Sequence, residues 1–566
     1  MKTIHGLLLG VALGGCSVSA AAPSEGAPGP GAAPSSTIDR KVAALAPARL
    51  EAAPRLDQAI TTYFAGQAGQ RSYLQTDKPL YQPGETVWFR ADLRTAKTLL
   101  GGAPVGVTLQ LVSPRGAIVA SKRLLALNGV ARNDFALAAD LEGGEYTLQL
   151  VLPSGATDGK KLIVNTYEAP RLMKTLELLR KAYGEGDPVS AAIEIKRTTG
   201  EAFAERALTG VVTIDDAEVA RLALKTDKEG KAIARFQLPA QIARGDGLLT
   251  ILVEDGGVTE SIQKRIPIVL KTLSLGVFPE GGDLVAGVPS RVYFMAKTPL
   301  GKPADIEGKV LDDRGQLVAE LRSIHDGMGR FELEPAVDRK YHVEITRPTN
   351  IVTRVDLPAA RPDGCVLRSV EQRGDTVRVA TICKTRRRVI VEATLRENRL
   401  AGGAFDVAAG TPSLIELPVA TGAQGAVRVT LFSERQEPLA ERLVYHTGGQ
   451  LKVTLTPDRK AYAPREPVKL RVHTTDAHGR PVKASIGLAV VDDTVLSFAD
   501  DKTARILAHV YLEPELGATA ADPIEEPNFY FSDKPEAAAA MDALLATHGY
   551  RRFEWRQVVP VERSQP

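Results

Sequence analysis

From residue 72 onward the apolar positions recur at every second residue in short runs. Residues 86–93, 107–112, 129–137, 146–151 and 161–164 carry this partial alternation, with turn residues between them. A period of two puts one side of an extended chain against a core and the other in water. Runs of this length and spacing predict a two-sheet antiparallel sandwich of about seven strands. Ahead of it, Leu56, Ile60, Tyr63 and Phe64 fall at i, i+4, i+7 and i+8, the stripe of a short helix. Near the other end, 503–512 and 537–547 also read as helical.

The opening of the sandwich repeats. Tyr81-Gln82-Pro83-Gly84-Glu85-Thr86-Val87 is echoed by Tyr183-Gly184-Glu185-Gly186-Asp187-Pro188-Val189 and by Tyr462-Ala463-Pro464-Arg465-Glu466-Pro467-Val468. Weaker echoes end on Val292 and Val377. The five valines are separated by 102, 103, 85 and 91 residues, close to one sandwich length, which predicts tandem sandwiches. A Pro/Gly turn reverses the chain, and an inward valine then starts a core strand. A second echo sits inside the units, where Gly129, Gly230 and Gly329 precede Phe135, Phe236 and Phe331.

The first residues read as an export address. Lys2 and the apolar run Leu7 to Leu13 precede Leu13-Gly14-Gly15-Cys16, a bacterial lipobox pattern that predicts lipidation of Cys16. Ser17 after the cysteine points to the outer membrane. Residues 20–37 lack apolar periodicity and carry four prolines, as a tether does. The expected organisation is signal peptide 1–15, lipid-anchored flexible tether 16–54, helix 55–69, and sandwiches over 70–167, 168–270, 271–348, 349–447 and 448–566. The last carries a helical or bait-like insertion at 499–550. The fold class is all-β: tandem seven-stranded antiparallel sandwiches with a small helical insertion in the last domain.

Composition narrows the function. The 566 residues hold 71 Lys+Arg against 68 Asp+Glu, which leaves no field for nucleic acid. Three cysteines exclude a disulfide-dense scaffold and a four-cysteine zinc site. The internal pair, Cys365 and Cys383, is symmetric about Gly374. Pairing 366–370 with 376–380 across a three-residue loop, 373–375, sets the cysteines opposite each other, about 4.5–5.5 Å apart at Cα. A structural disulfide is expected, with free thiols or a redox pair as the alternative.

Gln75-Thr76-Asp77-Lys78-Pro79-Leu80-Tyr81-Gln82-Pro83-Gly84-Glu85-Thr86-Val87 closely resembles the opening motif of the macroglobulin domains of the α2-macroglobulin superfamily. Phe278-Pro279-Glu280-Gly281-Gly282-Asp283-Leu284-Val285, Pro438-Leu439-Ala440-Glu441-Arg442-Leu443 and Thr547-His548-Gly549-Tyr550-Arg551-Arg552-Phe553-Glu554-Trp555 resemble a bacterial branch of it. The resemblance, over roughly 70–556, implies stacked macroglobulin-type sandwiches and, in many members, protease trapping. Trapping members use a thioester in a Cys-Gly-Glu-Gln motif. Neither internal cysteine precedes such a motif, so covalent trapping is not expected of this sequence.

A bait segment that proteases cut remains open. The candidate is 513–533, acidic and proline-containing, with Arg505, Glu513, Glu515, Glu525, Glu526 and Lys534 at or near its cut points. The competing reading is a helical insertion packed on the last sandwich. No catalytic constellation is found. The eight histidines form no His-Glu-x-x-His, and Ser261-x-x-Lys264 falls on an expected strand, with its two ends on opposite faces. Arg373-Gly374-Asp375 spells an adhesion tripeptide but is explained as a hairpin tip. Lys384, Arg386, Arg387 and Arg388 lack interleaved aromatics, so no nucleic-acid platform is read. The expectation is a non-catalytic envelope lipoprotein without metal, cofactor or small-molecule substrate. Its partners would be proteases or other envelope proteins, as a non-covalent inhibitor-like binding protein or as a spacer, scaffold or adhesion module.

Overall fold

The computed structural model describes residues 43–66, 69–166, 171–449, 451–463, 465–491, 505–518, 522–549, 553 and 555–558. Cys16, the export segment and the tether up to residue 42 lie outside the described residues.

The alternating runs become antiparallel sheets. The first sandwich stacks a three-stranded sheet, in the order Gln70–Thr76, Thr86–Thr95, Val130–Ala136, on a five-stranded one. The latter runs Leu80–Tyr81, Thr157–Val164, Gly144–Val151, Val105–Val112, Ile118–Ala126. The second sandwich has sheets of three and four strands, the third is one seven-stranded sheet folded over itself, and the fourth has three and four strands. Beyond these, the described residues hold a two-stranded sheet, Lys452–Pro457 with Leu470–Thr475.

The repeat valines occupy one structural position in the first three units. Val87 faces Phe135, Val189 faces Phe236 and Val292 faces Phe331 across a strand pair. Val377 faces Leu417 instead. These four valines are at most 1% exposed, whereas Val468 is 42% exposed. The glycine echo needs one correction. Gly129 and Gly230 accept the amides of Leu93 and Ile195, and in the third unit Gly327, not Gly329, accepts that of Ala296 at 2.9 Å. Gly327 has φ +72°, and a Cβ there would sit 2.3 Å from the Ala296 carbonyl oxygen, so only glycine fits.

Helix α1 (Ala52–Ala65) lays Leu56, Ile60 and Phe64 on the outer face of the fourth sandwich, with Ile390, Phe432, Trp555 and Val558. The strand Arg387–Leu395 is therefore covered on both sides, which is why almost its whole length is buried. Upstream, in the stretch read as tether, Leu45 donates its amide to Leu414 O at 2.8 Å, and Ala48 to Ala404 O at 2.7 Å. The fourth sandwich also touches the first, where Asn398 donates to Lys97 O at 3.3 Å. Ser261 and Lys264 lie on the strand Val258–Pro267, as expected. No helix among the described residues is long and apolar enough to cross a membrane.

Candidate functional site

The C-terminal segment contains α2 (Ile506–Tyr511), α3 (Glu513–Leu516) and α4 (Ala537–Thr547). Helix α4 is apolar nearly all round, which suits a helix enclosed by protein. It packs on strands of the third and fourth sandwiches, with Tyr293, Met328 and Leu443 in the shared core.

One acid on that helix organises the junction. Asp542 accepts from Arg442 at 2.7 Å, Arg330 at 3.0 Å, and the hydroxyls of Ser369 and Tyr293 at 2.5 Å each. Arg442 also donates to Glu280 at 3.0 Å, and Glu280 accepts the Ser369 amide at 2.8 Å. Arg291 and Arg368 lie within 3.7 and 3.8 Å of the same carboxylate. Burial would raise the Asp542 carboxyl, but Arg442, the two hydroxyls and Arg330 hold it below its ordinary range. Beside it, Gly281 at φ +86° brings its backbone so close that a Cβ would meet Leu367 N at 2.8 Å. Glu441 accepts from Trp555 Nε1 at 2.8 Å and from the Phe553 amide at 3.2 Å.

Three motifs noted separately in the sequence, around Glu280, Arg442 and Trp555, thus converge on one junction. Their charged members were not assigned roles by sequence reasoning. The available signal was a charge inside an otherwise apolar or turn motif, which is costly unless paired.

The bait candidates are distributed along this docked segment. Glu515 is almost buried and accepts from Arg71 at 2.9 Å and Arg396 at 3.4 Å, reaching the first and fourth sandwiches. Glu513 lies 3.2 Å from His509, whose other ring nitrogen contacts Ser72 O at 2.7 Å. The bond to Glu513, opposed by burial and helped by that carbonyl, raises the His509 pKa. Glu525 pairs with Lys302 at 2.8 Å and Glu526 with Lys181 at 2.9 Å. Lys534 sits over Phe529 at 5.2 Å, and the Arg505 amide donates to Asn528 at 2.7 Å. Phe529 stacks on His325 with centroids 3.7 Å apart. Residues of 522–549 pack against the third and fourth sandwiches, whereas the sequence reading placed an insertion on the last.

Cys365 and Cys383 are joined, with Sγ–Sγ 2.05 Å and Cα–Cα 4.0 Å, closer than the sequence spacing suggests. The register Cys365↔Cys383 continues to Ser369↔Val379. The three-residue loop is a correction: Arg373 bridges Thr376 around Gly374-Asp375, one residue out of step. Gln372 fills the irregularity by donating to Val370 O at 2.8 Å and Arg378 O at 2.7 Å. No group of three or more His, Cys, Asp or Glu among the described residues is arranged to hold a metal.

Two-layer antiparallel units in succession along the chain, with a helical segment packed on them, define a tandem β-sandwich protein. Residues 71–165 match the MG2 domain. This match falls on the stretch that carries the 75–87 motif. No curated protein matches the chain. Among solved structures it is similar to trypsin-activated α2-macroglobulin from Escherichia coli, at 15% identity and TM-score 0.41, over 72% of this chain and 33% of that one. Salmonella α2-macroglobulin reacted with methylamine gives 15% identity and TM-score 0.33 over 84% and 35%. The E. coli adhesin FdeC gives 14% and 0.17 over 52% and 99%. The chain spans about a third of the length of the two α2-macroglobulins.

Proposed function

We propose that this chain is a non-catalytic, protein-binding macroglobulin-type module, tethered to the bacterial envelope through a lipid on Cys16, that holds other envelope proteins without a thioester. The observation that favours it over a bait-bearing inhibitor is the attachment of 505–549. Asp542 and Glu515 tie this segment to three sandwiches through largely buried ion pairs. A protease needs an extended, accessible stretch, and clamped helices resist that. The inhibitor reading keeps one support, since Arg505 and Lys534 are exposed cations near the segment's turns. The adhesion tripeptide gains none, because Arg373 is engaged by Glu371 at 2.6 Å.

Limited proteolysis with several unrelated proteases separates the two readings. A scaffold is cut first within residues 20–37 and retains no protease. A first cut within 500–536, followed by compaction and retention of the protease, replaces the scaffold by the inhibitor. Exchanging Cys16 for serine should move the protein from the membrane fraction to the soluble one, and unchanged partitioning rules out the lipid anchor.

A further inference from the structure

Glu392 is an acid set into the outer, largely apolar face of the fourth sandwich. Ile390 precedes it on that face, and Gly402 and Thr430 stand beside it on the neighbouring strands. Ile390 packs under Leu56, Ile60 and Phe64 of α1, and the Glu392 side chain is 1% exposed. The neighbouring strand leaves room for it, since a Cβ at Gly402 would collide with its carboxylate. An acid adds little to the packing of a helix on a sheet, and its burial is costly unless it is partnered.

The partner is shared. Arg399 donates to Glu392 at 2.8 Å and is paired as well with Asp57, which α1 carries next to Leu56. One guanidinium thus serves a carboxylate of the sheet and a carboxylate of the helix. The other charges around this trio are engaged or exposed. On the same sheet face Arg388 pairs with Asp406 at 2.8 Å, and Arg428 pairs with Glu441. Lys97 of the first sandwich donates to Phe64 O at the end of α1. Arg49, Glu51 and Arg55 are exposed. The C-terminal side chains packed beside α1, Phe553, Trp555, Gln557 and Val558, are uncharged.

We infer that α1 is a clasp worked by protons: protonated Glu392 leaves Arg399 to Asp57 and keeps the helix closed on the sheet, whereas ionised Glu392 competes for Arg399, repels Asp57 and loosens the helix. The docked helix takes the carboxyl out of water, which outweighs Arg399 and pushes its pKa up to about 7. Once α1 lifts, the carboxyl meets water and returns toward its ordinary 4.5. The raised value belongs to the docked form. Docking is therefore unpenalised below the lower value, loses ground as pH rises between the two, and carries the full penalty above about pH 7. Helix α1 lies between Cys16 and the first sandwich. Its 14 residues rise about 1.5 Å each as helix and about 3.3 Å each when extended, so loosening lengthens the reach of the chain there. The inference stands on α1 and the fourth sandwich and holds with or without a lipid on Cys16.

Hydrogen exchange on the full chain, corrected for intrinsic rates, tests it. Protection of the α1 amides should fall about tenfold from pH 6 to pH 8.5, while the first-sandwich strands keep theirs. Glu392→Gln, which keeps the shape and cannot ionise, should hold α1 protection level across that range. Asp57→Asn, which removes the helix's claim on Arg399, should shrink the pH dependence. Replacing Trp88 by phenylalanine leaves Trp555 as the sole tryptophan. Its emission should move to the red over the same range, and should stay fixed when Glu392→Gln is added. A flat α1 profile in the unsubstituted chain, an equal fall in Glu392→Gln, or a fall shared by the first sandwich overturns the inference. Should Glu392→Gln fail to fold, Asp57→Asn and the Trp555 signal decide it, and an undiminished pH dependence in Asp57→Asn or an unmoved emission overturns the inference equally.

Discussion

Arg442 and Asp542 stand 100 residues apart in the chain and meet at 2.7 Å, with the Arg442 side chain 3% exposed. Arg442 lies on a strand of the fourth sandwich, Asp542 on α4, and Glu280, its other partner, on the third sandwich. The pair therefore joins three pieces that share no backbone hydrogen-bond ladder. Removing one member of such a set leaves the others charged and buried, which costs about 3–5 kcal/mol. Arg442→Met should lower the thermal midpoint and accelerate amide exchange across 537–547. Arg442→Lys, which keeps the charge without the planar fork, should recover only part of the loss. Unchanged exchange in α4 would show that apolar packing alone holds the helix.

The Cys365–Cys383 bridge closes a hairpin with a sequence separation of 18. Replacing both cysteines by alanine should destabilise the chain by about 3 kcal/mol, read as a lower denaturant midpoint with little change in slope. Reduction of the native protein should reproduce the shift. Failure of reduction to move the midpoint would argue that neighbouring strands already fix the hairpin.

Glu392, under α1, is nearly inaccessible and paired with Arg399 at 2.8 Å. Burial outweighs that arginine and pushes its pKa up to about 7. The sign follows from linkage. A carboxyl whose folded pKa lies above its unfolded value penalises the folded state once the pH passes the unfolded value, and fully above the folded one. The penalty is absent near pH 4 and complete above about pH 7. Glu392→Gln should therefore raise stability at pH 8, on the order of 2 kcal/mol, and give no gain at pH 4. Melting curves at both pH values decide it, and an equal effect at the two would disprove the titration.

His325 and Asp326 lie beneath Phe529 and Tyr530, facing Lys181, Asp305, Glu526 and Lys534. Burial, then Lys181, lowers the His325 pKa to about 4, and burial raises that of Asp326 to about 6. The depressed histidine contributes stability above its unfolded pKa that is lost as pH falls toward 4. The raised carboxyl does the opposite, relieving a penalty as pH falls below 6. The two oppose each other in the same window. With His325→Phe, which preserves an aromatic surface for stacking, only the acid titrates, so 522–534 should dock more tightly at pH 5 than at pH 7. Protection factors corrected for intrinsic exchange give the answer, and weaker docking at pH 5 would contradict it.

The legible part of this protein was what a local pattern can encode. Alternation gave the strands, the spacing of Val87, Val189, Val292 and Val377 gave the sandwich length, and the Leu56-Ile60-Phe64 stripe gave α1. The cysteine symmetry gave the register but not the tip, because Gln372 absorbs a residue that spacing alone assigns to a strand. Gly329 lies nearer Phe331 in the chain than Gly327 does, but the equivalent position is set by the backbone bond from Ala296, which only the fold supplies.

What the sequence by itself determined is the repeated unit: a Tyr-anchored turn and an alternating strand, set by short-range sterics and by the period of the extended chain. Tertiary structure alone decided how deeply each copy is buried among the described residues. Val87 and Val468 follow the same Tyr-anchored turn, yet Val87 is fully buried and Val468 is 42% exposed, and nothing in the local sequence of either tells which. The same holds for Arg442, whose meaning depends on Asp542 and Glu280 arriving from other elements. Burial and ion pairing are properties of what surrounds a residue, and those surroundings come from distant parts of the chain.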